Sequence, residues 1–293
     1  MTLQGSRTEE LLRTALADEL RSSIAYRHLA AAAKEAGQDL IADLLSAMAT
    51  NEGEHADREF QFLGELGDLK DSIEAAVELE RKGSGELYPA AAEVAEREGF
   101  SEIADFFRAA GQAEERHEKS LRAALEALEE GRPLEGRTVL HSAVEMAQVM
   151  LPGQANPAGF VHGGELMKLM DNAAGVAAVR HCHSSVVTAM VDELHFLHPV
   201  RIGSLVLVRS KLTYVGSSSM EVLVQVDTED LATEACRRAV TAHFVMIALD
   251  RDRKPVRVPP LIASTEEEER LFQEGQRRYV ARKEEGGRMK DEG

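Results

Sequence analysis

The feature that most constrains this chain is that its first half repeats itself. "EAGQDLIADLLSAMATNEGEHAD" and "REGFSEIADFFRAAGQAEERHEK" align at a shift of 62 residues. Gly37 falls on Gly99, Ile41-Ala42-Asp43 on Ile103-Ala104-Asp105, and Tyr26 on Tyr88. Residues 1–130 are rich in Ala, Leu, Glu and Arg, and Pro89 is their only proline. The repeated unit therefore reads as a helical hairpin, with Gly37 and Gly99 as helix stops. Two copies of such a hairpin predict an all-α four-helix bundle.

Each copy carries a Glu-x-x-His on its second helix, Glu52 with His55 and Glu114 with His117. Three residues apart on a helix is one face. A further glutamate lies about 33 residues before each, Glu19 before Glu52 and Glu80 before Glu114. Four carboxylates converging on a bundle core would repel, and would be costly to desolvate. Two divalent cations would neutralise them, and mixed carboxylate and imidazole ligands suit iron or manganese. This is the ligand pattern of di-iron carboxylate bundles. Tyr26 and Tyr88 are placed to hydrogen-bond those carboxylates.

These stretches, with "GSRTEELLRTALADELRSSIAYRHL", "ELYPAAAEVAEREGFSEIADFF" and "AEERHEKSL", resemble rubrerythrin over about residues 1–130. The resemblance implies a ferritin-like di-iron bundle that reduces hydrogen peroxide, with metal ligands at Glu19, Glu52, His55, Glu80, Glu114 and His117. Two departures follow from it. The family's extra glutamate, three residues after the third-helix ligand, exchanges with the first histidine on redox change. Here that place is Gly83, which implies that the exchange is missing and His55 is a permanent ligand. The family's rubredoxin domain, with four cysteines, has no counterpart, since only Cys182 and Cys236 are present and there is no CxxC. Electrons would then come from an external donor, and both departures argue against efficient peroxidase turnover.

After a linker at 131–138, "GRPLEGRT", the rhythm changes. "SLVLVRSKLTYV", "MEVLVQVDT" and "RAVTAHFVMIAL" are β-branched and partly alternating, and read as strands. "GGELMKLMDNAAGVAAVRHC" reads as a helix among them. Thr265 and Glu268 open a C-terminal helix over 265–285 with a capping box, and 286–293 reads as a disordered tail. The second half, 139–264, is thus an α+β domain.

Gly163 and Gly164 open its long helix, where free N–H groups and the positive dipole end stabilise an oxyanion. Asp171 lies eight residues on, about 12 Å along the axis. One helix cannot aim its own Asp171 at a carbonyl held by its own first turn. Two such helices antiparallel across a two-fold axis can, so the spacing predicts a dimer with composite sites. The chemistry would be acyl transfer to water, with Asp171 as general base or nucleophile. Asn156 would orient the water or the thioester.

"VMLPGQANPAGFVHGGELMKLMDNAAGVAAVRHC", "VVTAMVDELHFLHPVRIGSLVLV", "LTYVGSSSMEVLVQV" and "VPPLIASTEEEERLFQEGQRRY" resemble the hotdog-fold acyl-CoA thioesterases over about residues 139–284. The resemblance implies an antiparallel sheet around a central helix, assembled as a homodimer or a trimer of dimers. It places the catalytic aspartate on Asp171 and the active-site asparagine on Asn156. Coenzyme A contacts are expected at His162, Ser218, Ser219 and Met220, although "GSSS" reads equally as a hairpin turn.

The formal net charge of −17 opposes binding to nucleic acid or anionic lipid. The cysteines give no disulfide framework, and no apolar leader opens the chain, so a cytoplasmic place is expected. No apolar run reaches the ~18 residues of a membrane span. Together these features predict an acyl-CoA thioesterase joined to a redox-sensing or peroxide-reducing di-iron domain. The alternative is a peroxide-reducing or iron-oxidising oxidoreductase whose hotdog half mainly binds acyl-CoA or oligomerises.

Overall fold

The structure, a computed structural model, describes residues 3–65 and 67–291, with side chains as far as Glu284. It divides into two compact units, Met1–Glu78 and Leu79–Gly293. The first contains α1 (Arg7–Glu35) and α2 (Asp39–Leu63), a hairpin turned at Gly37, whose φ is +70°. Ser6 caps α1 by accepting the Glu9 N–H. The hairpin is held through small side chains. Ala42, Ala49 and Ala56, seven residues apart, are all buried, as are Ser23 and Ala30 opposite, so one seam of α2 faces α1 throughout. Ser23 Oγ donates to the Ala49 carbonyl at 2.8 Å.

The second copy of the hairpin differs in one respect. α3 (Leu69–Lys82) passes into a π-helical turn, Gly83–Leu87, then directly into α4 (Tyr88–Glu98), and α5 (Ser101–Glu129) packs against the π-turn and α4. Glu19 to Tyr26 is seven residues, whereas Glu80 to Tyr88 is eight. The π-turn, with its wider i→i+5 ring, takes up that extra residue. Gly83 lies under α5, where an added Cβ would stand 3.2 Å from Glu114 Cγ. The small-residue seam recurs, with Ala92, Ala104 and Gly111 at the repeat positions of Ala30, Ala42 and Ala49. Tyr88 packs on Phe107, ring centroids 6.1 Å apart. Among the described residues, neither Tyr26 nor Tyr88 shows a hydrogen bond to the glutamates, contrary to the expectation.

From Arg137 the chain forms β1 (Arg137–Thr138), α6 (Val139–Ser142), β2 (Val144–Val149) and the long α7 (Gly163–Cys182). Then follow β3 (Ser185–Phe196), β4 (Leu205–Val215), β5 (Ser219–Asp230), β6 (Ala235–Leu249), the short β7 (Leu261–Ile262) and α8 (Glu266–Asp291). Five strands make an antiparallel sheet in the order β2-β4-β5-β6-β3. Val222, Val224 and Val226 on β5, and Val240, Ala242, Phe244, Met246 and Ala248 on β6, alternate along one face and are almost fully buried, as period-two geometry requires. α7 fills that face with Leu166, Met170, Ala173, Ala174, Ala177 and Ala178. Their spacing is one stripe of a helix, and the four alanines let the sheet approach closely. This sheet around a central helix is the hotdog arrangement.

α8 covers the other face. Tyr214 meets Phe272 and Tyr279 at 5.1 and 5.2 Å. Gly275 allows the close approach, because a Cβ there would stand 2.7 Å from Tyr214 Cβ. Glu221, its side chain 1% exposed, accepts hydrogen bonds at 2.8 Å from Arg278, Arg282 and Thr213. Burial alone would raise its pKa, but the two arginines outweigh that and hold it below the usual carboxylate range. The helix extends past the expected end at 285 to Asp291. The remainder of the expected tail, 292–293, lies outside the described residues. Among the described residues no helix is long and apolar enough to cross a membrane.

Candidate active site and candidate metal half-sites

The loop before α7 is shaped by two side chains that the sequence singled out. Asn156 Oδ1 accepts the N–H groups of Ala158 at 2.9 Å and Phe160 at 3.2 Å, a local side-chain turn that leaves its amide NH2 to donate elsewhere. His162 caps α7 by accepting the Gly164 N–H on Nδ1 at 3.0 Å. That bond occupies Gly164, so Gly163 is the N–H left to face a ligand. Asn156 and Gly163 line one cavity of about 320 Å³ with Phe160, Leu166, Phe196 and His198. An added Cβ at Gly163 would stand 3.3 Å from the Phe196 ring, so the absent side chain keeps this approach narrow but open.

Asp171 is not among the residues lining that cavity. It lies on the exposed side of α7, and its Oδ1 accepts the Thr188 hydroxyl at 2.5 Å. Thr188 belongs to β3, beside the register shift between Thr188 and Met190; bulges of this kind re-aim side chains next to active sites. Sequence reasoning missed Thr188, because a threonine in a β-branched run looks like any strand former. One chain thus presents an asparagine and helix N-terminus in one place and a threonine-held carboxylate in another.

Ser218 and Ser219 lie at the β4–β5 turn. Gly216 N–H donates to the Ser219 carbonyl at 2.8 Å, and the Ser218 carbonyl accepts from Ala248 at 2.9 Å. The turn that "GSSS" suggested is therefore present. Met220 is fully buried within the core of sheet and helix, so its side chain packs rather than facing solvent. His181, at the other end of α7, is also fully buried. Its ring nitrogens meet Ser142 Oγ at 3.0 Å and the Pro259 carbonyl at 2.9 Å. Burial pushes its pKa down despite the carbonyl contact.

The helical region holds two matching trios. Glu19, Glu52 and His55 each offer a ligand atom within 4.8 Å of the others, and so do Glu80, Glu114 and His117. In the first, His55 Nδ1 lies 3.0 Å from Glu52 and 3.6 Å from Glu19. In the second, His117 Nδ1 lies 3.6 Å from Glu80 and 3.8 Å from Glu114. Two observations fit these trios to a cation. The Glu19 carboxyl is pushed up, first by the hydrogen bond it shares with Glu52, then by burial and by the charge of Glu52. Two carboxylates in that position await a positive charge. Glu80 Oε2 is buried without a hydrogen-bond partner, as a ligand oxygen would be before its ion arrives. Two carboxylates and an imidazole per trio are donors that iron or manganese accepts.

A rubrerythrin family profile matches residues 10–125, and a thioesterase superfamily profile matches residues 158–235. The cytosolic acyl coenzyme A thioester hydrolase of Rattus norvegicus is 37% identical over 151 residues, 51% of this chain and 40% of that protein. The chain therefore spans less than half the length of that relative. The uncharacterized acyl-CoA thioester hydrolase YkhA of Bacillus subtilis is 38% identical over 149 residues, 51% of this chain and 87% of that protein. The chain belongs to the acyl-CoA thioester hydrolase family. Its membership rests on the hotdog half, and the helical half that precedes it is rubrerythrin-like. Among solved structures, an acyl-CoA hydrolase from Bacillus cereus aligns with a TM-score of 0.51 at 33% identity, covering 54% of this chain and 96% of that one. An apo-hexameric acyl-CoA thioesterase aligns with a TM-score of 0.50 at 30% identity, covering 52% and 97%.

Proposed function

We propose that the hotdog half hydrolyses acyl-CoA to a free acid and coenzyme A, at sites each built by two copies of the chain. The observation that carries this is the division of the site. Asn156 and Gly163 share a cavity that Asp171, on the same helix, does not line. Two α7 helices running antiparallel bring the Asp171 of one copy to the glycine end of the other. An assembly of dimers agrees with the hexamer named for a structural relative.

In this site the Gly163 N–H polarises the thioester carbonyl and stabilises the oxyanion. Asp171, held by Thr188, removes a proton from water as the water oxygen attacks the carbonyl carbon. The C–S bond then breaks, and the proton returns to the leaving sulfur. Direct attack by the carboxylate is the alternative path, through an anhydride that water opens. Asn156 orients the water or the thioester through its free amide. Ser218, Ser219 and His162 are the polar groups proposed to meet coenzyme A.

We further propose that the helical half binds two iron ions, one at each trio, and serves a redox-sensing or peroxide-reducing role toward an external electron donor. Bound iron supplies redox chemistry there; Glu19, Glu52, Glu80 and Glu114 fix its charge, and His55 and His117 complete its ligand sets.

Subunit mixing tests the composite site. Asp171→Asn and Asn156→Ala, each inactive alone, regain about a quarter of the wild-type sites when unfolded and refolded together in equal amounts. Mixtures that stay as inactive as their parents refute the shared site.

A further inference from the structure

The two trios are not equal, and the difference lies on α2. Glu52, His55 and Glu59 are spaced three and then four residues apart, and so rise along one face of that helix. Glu59 is half-buried, and its Oε2 is buried with no hydrogen-bond partner. A buried anionic oxygen without a partner is costly unless a cation compensates it.

The internal repeat supplies the comparison. At the shift of 62 residues that carries Glu52 to Glu114 and His55 to His117, Glu59 falls on Leu121. Leu121 is half-buried and has no donor atom. The first trio thus has a third carboxylate beside it on α2, and the second has a hydrocarbon in the same place on α5. Three carboxylates balance the charge of a trivalent ion, whereas two balance only a divalent one.

We propose that Glu59 joins Glu19, Glu52 and His55 in holding a metal ion, so that the first half-site binds more tightly and fills first. This rests on the metal-binding role proposed above. Glu59 stands one helical turn beyond His55 on the same face of α2.

The test is titration of the metal-free, full-length protein with Mn(II), read by the electron paramagnetic resonance of the free ion. Wild type takes up two ions per chain in two steps, the first at least tenfold tighter. Glu59→Gln keeps the shape and removes the charge, and it weakens only the tighter step by about ten- to a hundredfold. Leu121→Glu strengthens the weaker step. Circular dichroism unchanged in both variants separates a lost ligand from a lost fold. Two bound ions with unaltered affinities in Glu59→Gln overturn the role of Glu59 and leave the metal half-sites standing. No uptake by the wild type overturns both.

Discussion

The two halves of this chain bury very different side chains. In the helical hairpins the buried residues are almost all alanine: Ala30, Ala42, Ala49 and Ala56, then Ala92, Ala95, Ala104 and Ala127. In the hotdog half buried alanines are outnumbered by valine, leucine, methionine and phenylalanine, with Phe244, Met150, Met170, Leu212 and Met220 all fully buried. A buried CH2 contributes about 0.8 kcal/mol, and a fully buried Val, Leu or Met about 1.5–3 kcal/mol. The hotdog half therefore stands on its own core. The hairpins gain less from packing and carry repelling carboxylates at their centre of interest. Their stability should respond to metal, and that of the hotdog half should not.

The largest expected effect concerns chemistry. Asp171→Asn should lower the rate of thiol release by about 10²–10⁴ while leaving bound metal and helicity unchanged. A matching loss of metal would erase the distinction between the halves. Next comes the outer face of the sheet. Glu221→Gln leaves the half-buried Arg278 and Arg282 with only Glu193 and Asp192 as anionic partners, a loss of at most about 3–5 kcal/mol. Urea unfolding should show it in the hotdog transition alone. Removing metal should act on the other side of the comparison. An ion present at a hundred times its dissociation constant stabilises by about 2.7 kcal/mol, so chelation should lower the melting of the helical half and leave the hotdog melting in place.

Smaller effects sharpen the picture of the site. Thr188→Val removes the hydroxyl that holds Asp171, and a misaimed base should cost about tenfold in kcat with little change in KM. pH gives the mildest signal. His181 and His243 both sit below the ordinary imidazole value of 6.5, because burial disfavours their charged forms. The unfolded chain then binds more protons than the folded one as pH falls through 6.5, so stability declines with acid. Glu221, held low by its arginines, adds a further loss below the carboxylate range. A hotdog melting temperature that is flat from pH 8 to pH 5 would contradict the buried neutral histidines.

Much of this was legible in the sequence, for identifiable reasons. The repeat was readable because both copies keep the same residues at the same spacing, including Glu52 with His55 and Glu114 with His117. α7 and the β4–β6 strands were readable because a helical stripe and a two-residue alternation are local patterns. What escaped depends on tertiary cover. Glu221 sits on a strand where its neighbours face the core, and reads as a solvated outward residue; only α8 buries it. Thr188 meets Asp171 only because α7 passes beside β3. The π-turn at Gly83–Leu87 was written in the sequence as one extra residue between Glu80 and Tyr88, but it has meaning only beside the seven-residue spacing of the first copy. Short β2, "VEMAQV", lacks the β-branched density that marks the other strands.

One measurement bears most directly on the division of labour between the halves. Thiol release from acyl-CoAs of short to long chain is followed on one preparation, iron-loaded and then metal-stripped, beside Asp171→Asn in both states. The wild type should hydrolyse acyl-CoA in both states and the variant in neither, with the same iron content in the two loaded proteins. No hydrolysis of any chain length, or hydrolysis that survives Asp171→Asn, would contradict it.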